Sequence, residues 1–340
     1  MEQQGFFDTD TRLQQLSALG DPLERLNETI DWQIFRPALN KIFRKEAKGP
    51  GGRPPFDYVM MFKILVLQKL YHISDAQAQY QINDRLSFMR FLGLKLYETV
   101  PDEKTIWHFR EQLVTSKKMD TLYYRFVRAL EEKGIITYTG SIIDATFVDA
   151  PKQRNTRDEN AEIKNDTTPE EWNDDDQKHK KSQKDVDARW TKKNDETHYG
   201  YKDHIKIDSD SKLITSYTVT PANVHDSQEL SNLIDIKKDN VVYADSAYSG
   251  KDIESCLGNI ENRIHEKGYR NKPLTKRQMQ RNRKKSKTRA RVEHVFAFMT
   301  NTMKGITVRS IGIARAQVQI ALINLTYNLC RYTYLANANG

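Results

Sequence analysis

The chain has little cysteine. Cys256 and Cys330 are its only two thiols, too few for a disulfide framework and without the spacing of metal ligands. That usage fits a reducing, intracellular compartment. Long apolar runs are also missing, and none approaches the ~20 residues that a bilayer span needs. The opening MEQQGFFDTDTRLQQ carries acids and no apolar h-region, so no signal peptide is expected. No Ser-His or Cys-His arrangement points to a covalent nucleophile. Aliphatic residues are nearly absent from PKQRNTRDENAEIKNDTTPEEWNDDDQKHKKSQKDVDARWTKKNDETHYG, residues 151–200. A segment this charged cannot bury a core of its own, so at least 152–185 is expected to be a mobile insertion or loop.

The 340 residues suggest two domains and room for a small third piece. With 38% hydrophobic and 29% charged residues, the composition is that of a polar, soluble protein. A net charge of +8 and a pI near 9.1 favour a polyanionic partner.

The first 48 residues have helical spacing, with Leu23, Leu26, Ile30, Trp32, Ile34, Phe35, Leu39, Ile42 and Phe43 on the apolar side. GPGGRPP (49–55) then breaks the pattern. FDYVMMFKILVLQKLY is apolar on most faces and predicts a buried helix. Two shorter helices follow, then one from about Glu103 with Asp102 as N-cap, then one over about 117–133 that ends at Gly134. The succession from 56 to 113 has the look of a helix-turn-helix, with Arg85, Arg90, Lys104, His108 and Arg110 as candidates to face DNA. Small bundles also carry such residues for solubility.

The period changes after 134. ITYTGSIIDATFVDA (136–150) predicts a hairpin or two strands, and 202–208 with 213–223 a second strand pair. Strands are expected over 240–246 and 263–267. Helices are expected over 226–237, 249–257, about 288–304 and about 313–336. The mixture predicts a mixed α/β sheet.

Three acids sit where apolar residues are expected. Asp144 follows two isoleucines in SIIDATF, Asp245 ends the run VVYAD, and Glu293 lies beside the stripe Val292, Val295, Phe296, Met299. Each has an ordinary alternative: a turn for Asp144, a turn or cap for Asp245, and an i−4 pair with Arg289 for Glu293. Together they form a set of hard oxygen ligands. Such a set holds two Mg²⁺ or Mn²⁺ ions about 4 Å apart for in-line phosphoryl displacement. YRNKPLTKRQMQRNRKKSKTRAR (269–291) holds eleven Lys or Arg and no acid. It runs straight into Glu293, so a phosphate backbone is its expected partner. Trp190, Lys192 and Lys193 mix aromatic and basic side chains that suit an unpaired base, although Trp190 and Tyr201 equally suit packing at a sheet edge. Asp226, in PANVHDS, is expected as a helix N-cap. His294 points about 100° away from Glu293 and is not expected to be a ligand.

In order, SIIDATFVDAPKQRN, ARWTKKNDETHYGYKDHIKID, VTPANVHDS, VVYADSAYSG and KKSKTRARVEHVFAFM resemble the bacterial DDE transposases of insertion sequence family five. GRPPFDYVMMFKILVLQKLYHISDAQAQYQINDRLSFMRFLGL resembles that family's helical leader. The resemblance covers essentially the whole chain. It implies an RNase H-like catalytic domain over 135–340 with a charged insertion at about 152–200. It implies an α-helical N-terminal DNA-binding domain over 1–134. It places the catalytic, metal-holding triad on Asp144, Asp245 and Glu293. It further implies two Mg²⁺ or Mn²⁺ ions, terminal inverted repeats and target DNA as double-stranded partners, at least a dimer on DNA, and a cytoplasmic, nucleoid-associated protein. Lys284, Lys285, Lys287, Arg289, Arg291, Lys304, Trp190, Lys192 and Lys193 are the expected DNA contacts. A family signature with Tyr, Arg, Glu and Lys is partly met. Its Arg falls on Arg289, but Ser286 stands at the Tyr position and Thr300 at the Lys position, with Lys304 one turn on. A nuclease that cuts without joining, and a DNA-binding protein with a vestigial site, share these residues.

Overall fold

The computed structural model describes residues 8–44, 54–193, 195–249 and 255–338. The chain falls into two compact units, Met1–Phe126 with Leu325–Gly340, and Val127–Asn324. No helix among the described residues is long and apolar enough to cross a membrane.

The first unit is helical. Pro22–Thr29 starts at Asp21, whose carboxylate accepts from the Leu23 N–H. Tyr58–Tyr71 is buried along most of its length and is capped by Asp57. Phe35 lies 5.0 Å from Phe62, Trp32 meets Phe91 edge-on at 5.5 Å, and Phe43 stacks on Phe109 at 4.0 Å. These rings form the core that the apolar spacing predicts. Asp75–Asp84, Leu86–Leu92 and Glu103–Ser116 follow, the last with Asp102 as its N-cap. Most of the GPGGRPP breaker lies outside the described residues.

Two cations expected to face DNA are held inside this unit. Arg90 bonds Asp21 at 2.6 Å and Ser17 at 2.8 Å. Arg110 grips both oxygens of Asp75, each at 2.7 Å. Part-buried carboxylates within reach claimed them, which helical spacing alone does not reveal. Arg85 lies over the Phe88 ring at 5.0 Å. Lys104, Trp107 and His108 remain exposed along Glu103–Ser116.

The second unit is built on a mixed sheet of six strands: β1 (Ser141–Asp149), β2 (Arg189–Lys193), β3 (Glu196–Asp208), β4 (Ile214–Pro221), β5 (Val241–Tyr243) and β6 (Glu261–Asn262). Its order is β2-β3-β1-β5-β6, with β4 also paired to β3. β1, β2 and β4 run antiparallel to β3, while β1, β5 and β6 are mutually parallel. Ile136–Asp149 does not make a hairpin, since β1 is one strand. Tyr138 has φ 53 and gives its N–H to Asp208 Oδ1, so the residues before Ser141 form a turn. The helix expected over 226–237 is reduced to a 3-10 turn, Asp226–Glu229, and one short helix, Leu230–Leu233. Asp239 ends it by accepting the Asp235 N–H at 2.7 Å. The expected 263–267 strand appears earlier, as β6. Part of the expected 249–257 helix lies outside the described residues.

The charged segment after β1 is folded, contrary to expectation. Arg157–Lys164, a 3-10 turn at Glu170–Asn173 and Lys178–Gln183 surround Trp172, which is fully buried. Glu159 accepts from Trp172 Nε1 at 2.8 Å and from Lys180 at 2.7 Å. A buried carboxylate with paired donors replaces the missing aliphatics.

Asp203, on β3, is fully buried against Asn324 at 3.1 Å. Burial pushes its pKa up to about 7 from 3.8, partly offset by the Asn324 hydrogen bond. The proton therefore binds the folded state more tightly, and stability is lost as pH rises from 3.8 to about 7. Protonation also gives Oδ2, which has no partner, a hydrogen to donate. Asp203→Asn is expected to be stabilising by on the order of a few kcal/mol above neutrality and nearly neutral below the ordinary aspartate pKa. Urea unfolding at both pH values checks this; a variant with the wild-type pH slope would contradict it.

Candidate active site

Register brings the first two acids together. Ile142 on β1 pairs with Tyr243 on the parallel β5. Two residues further along come Asp144, still on β1, and Asp245, just past the end of β5, close enough that the charge of Asp245 reaches Asp144. The intervening Ile143 and Ala244 enter an apolar cluster with Val242, Leu230, Leu233, Tyr248 and Ile264. Asp144 thus lies within β1 on the face opposite Ile143, and Asp245 lies just past the C-terminal end of β5.

Asp144 is half-buried. Its Oδ1 accepts from the Ala145 N–H at 2.9 Å and its Oδ2 from Arg289 Nη1 at 2.8 Å. Burial pushes its pKa up to about 6, opposed by the Ala145 N–H and the Arg289 charge and reinforced by the charge of Asp245. β5 stops at Tyr243, short of the expected 246. There Asp245 takes the Ala247 N–H at 2.8 Å and caps the 3-10 turn Ser246–Tyr248. The ordinary role and the candidate role fall on one side chain. Glu293 lies in the first turn of Arg291–Ala297, exposed, with Val292 and Val295 buried beneath it. Its Oε1 is 3.9 Å from Arg289 Nη2. Arg289 therefore reaches both Asp144 and Glu293.

Among the described residues, no three His, Cys, Asp or Glu side chains stand close enough to share one metal ion. The donor chemistry nevertheless suits a hard cation. Asp144 senses the charge of Asp245, and the hydrogen-bonded cation on Asp144 is Arg289. Added positive charge at that point relieves the carboxylates.

The basic run is itself a helix, Lys276–Arg289, started by a capping box between Thr275 and Gln278. It is separate from Arg291–Ala297, which passes into a π-helical turn at Phe298–Thr302. The expected 288–304 helix is thus broken at Ala290. Lys284 and Lys287 are exposed. Lys285 is tied to the Ile264 carbonyl at 2.7 Å, and Arg291 to the Ser209 carbonyl at 2.7 Å. Lys304 stands exposed just past the π turn. Ser286 lies 3.3 Å from His265. Burial and the Arg289 and Lys285 charges keep His265 below its ordinary pKa.

Trp190 is half exposed, 4.8 Å from Tyr199, with Lys152 over its ring. Lys192 pairs with Asp195 at 2.8 Å. Lys193 lies over Phe147, and its charge reaches Asp144. Asp226 is not the expected N-cap. His225 takes that place, while Asp226 bonds Lys202 at 2.7 Å. Two neighbours of the acids were not legible in the sequence. One is His265. The other is Tyr248, whose buried hydroxyl has no partner and whose pKa is raised by burial and by the nearby acids, Asp144 and Asp245 among them.

Residues 136–329 match the family described as Transposase DDE domain, and residues 11–112 match Transposase domain (DUF772). The chain belongs to the DDE transposase family. The first match contains all six strands and Asp144, Asp245 and Glu293, while the second spans the helices of the first unit up to Glu103–Ser116. A solved piggyBac transposase synaptic complex with hairpin DNA is similar at 13% identity, over 94% of this chain and 76% of that one, with a TM-score of 0.47.

Proposed function

We propose that this transposase binds the terminal inverted repeats of a bacterial family-five insertion sequence, and cuts and joins DNA by two-metal phosphoryl transfer. The observation that carries the reading is the placement of Asp144 on β1 and of Asp245 just past the end of the neighbouring parallel β5, with Arg289 bonded to Asp144 and 3.9 Å from Glu293. The order β4-β3-β1-β5-β6, antiparallel then parallel, supports an RNase H-like sheet. Asp144, Asp245 and Glu293 would hold Mg²⁺ or Mn²⁺. Such ions supply charge stabilisation for the attacking and leaving oxygens.

The chain's own residues orient the DNA. A groove of about 440 Å³ is lined by Tyr243, Arg263, Arg281, Lys284, Lys285 and Thr288. Tyr243 is two residues from Asp245 and Thr288 adjoins Arg289, so the groove opens beside the acids. Glu266 also lines it and pairs with Arg281 at 2.9 Å, and Arg263 pairs with Glu261, which leaves exposed Lys284 as the groove cation best placed for a phosphate backbone. Lys287 and Lys304 extend this surface, and Trp190 with Lys192 and Lys193 offers a platform for an unpaired base. In the helical unit, Lys104, Trp107 and His108 are the surface proposed to meet the repeat. At least two protomers would act together on paired ends.

Lys284→Ala with Lys287→Ala is expected to weaken DNA binding across all sequences. The slope of log affinity against log salt should fall by about one for each lysine that meets a phosphate. Fluorescence anisotropy over a salt series measures this, and an unchanged slope would remove these lysines from the interface. The reaction itself is tested with labelled element ends and a target plasmid. Joined products support transposition, whereas cuts without joining leave a nuclease.

A further inference from the structure

We propose that Arg289 is a placeholder cation, which holds Asp144 until DNA draws the guanidinium away, so that DNA and divalent metal bind cooperatively. The inference rests on the reading of Asp144, Asp245 and Glu293 as the metal site.

Arg289 makes one good contact, from Nη1 to Asp144 at 2.8 Å. Its Nη2 is 3.9 Å from Glu293, beyond hydrogen-bond range. Its Nε is buried with no partner. Arg110 shows what a satisfied guanidinium looks like in this chain, with two nitrogens on two carboxylate oxygens at 2.7 Å each. The Arg289 seat is thus occupied but incomplete. A phosphate offers the planar, paired acceptors that Asp144 does not provide here. Arg289 also ends the helix that carries exposed Lys284 and Lys287, where a phosphate backbone would arrive. While it rests on Asp144, its charge opposes a second cation there. Once it turns to a phosphate, Asp144 is left facing Asp245 with only the Ala145 N–H and the Lys193 charge to offset it. Linkage then requires that metal tighten DNA binding by the factor by which DNA tightens metal binding.

The test is calorimetric titration of Mn²⁺ into the full chain at mildly alkaline pH, where Asp144 is ionised. Wild type, Arg289→Gln and Asp144→Asn are compared, with and without a duplex carrying the sequence that flanks the coding frame. Without DNA, Arg289→Gln is expected to bind Mn²⁺ about tenfold tighter than wild type. DNA should tighten wild-type binding by a similar factor and leave Arg289→Gln nearly unchanged. Asp144→Asn should lose the binding in every arm. Equal affinities in wild type and Arg289→Gln, with no effect of DNA on wild type, would overturn the proposal while leaving the metal site intact. No Mn²⁺ binding in any arm would overturn the metal site and the placeholder together. If Arg289→Gln fails to fold, the two wild-type arms still decide.

Discussion

Asp144→Asn is expected to lower DNA cleavage by about 10³-fold or more while the protein still binds DNA. The amide keeps the shape of the side chain and removes the charge. The lost charge is the one that Arg289 contacts at 2.8 Å and that Asp245 faces. Several kcal/mol of charge stabilisation correspond to that loss in rate. None of the cations proposed to meet DNA is replaced, so binding persists. Burial has raised the Asp144 pKa to about 6. Protons therefore compete with metal below that value, and the metal concentration needed for cleavage should rise as pH falls through it. Cleavage assays over pH and metal concentration, with anisotropy for binding, check both statements. Cleavage within about tenfold of wild type would remove Asp144 from the reaction.

Asp239→Ala is expected to destabilise the second unit by about 3–5 kcal/mol. Asp239 is buried just before β5. It accepts from Lys206 on β3 at 2.7 Å and from Ser141 on β1 at 2.6 Å. One carboxylate thus ties three strands and fixes where β5 begins, four residues before it delivers Asp245. Alanine leaves the Lys206 ammonium buried and unpaired, which is the costly half of breaking such a pair. Asp239→Ala with Lys206→Met should recover most of the loss, because the stranded charge goes too. Denaturant unfolding of the single and double variants measures it. Equal destabilisation in both would mean that Lys206 is not the cause.

The candidate site was legible in the sequence to the extent that its anomalies were local. Acids that end apolar runs stand out, as Asp144 does after two isoleucines and Asp245 does after VVYA. Register did not stand out, because pairing Ile142 with Tyr243 depends on contacts a hundred residues apart. Arg289 was expected to touch DNA, and its seat on Asp144 is a tertiary fact that charge spacing cannot carry. The basic helix has a signal of its own, the T-x-x-Q capping box at Thr275–Gln278. The 152–185 segment was misjudged on its lack of aliphatics. A single Trp172 and a paired Glu159 organise it, and composition does not register one buried ring or one buried ion pair. Arg90 and Arg110 failed as DNA candidates for a related reason. Helical spacing says which residues share a face, but not that Asp21 and Asp75 wait opposite them.

The most direct test of the triad is cleavage of labelled DNA carrying the element's own ends, with Mg²⁺ or Mn²⁺, by wild type and Asp245→Asn side by side. The ends are read from the DNA flanking the coding frame. The predicted result is metal-dependent cutting at the repeat tip by wild type, lost in Asp245→Asn although that variant still folds and binds DNA. Equal cutting by the two proteins, or none by a folded, DNA-binding wild type with either metal, would contradict the account.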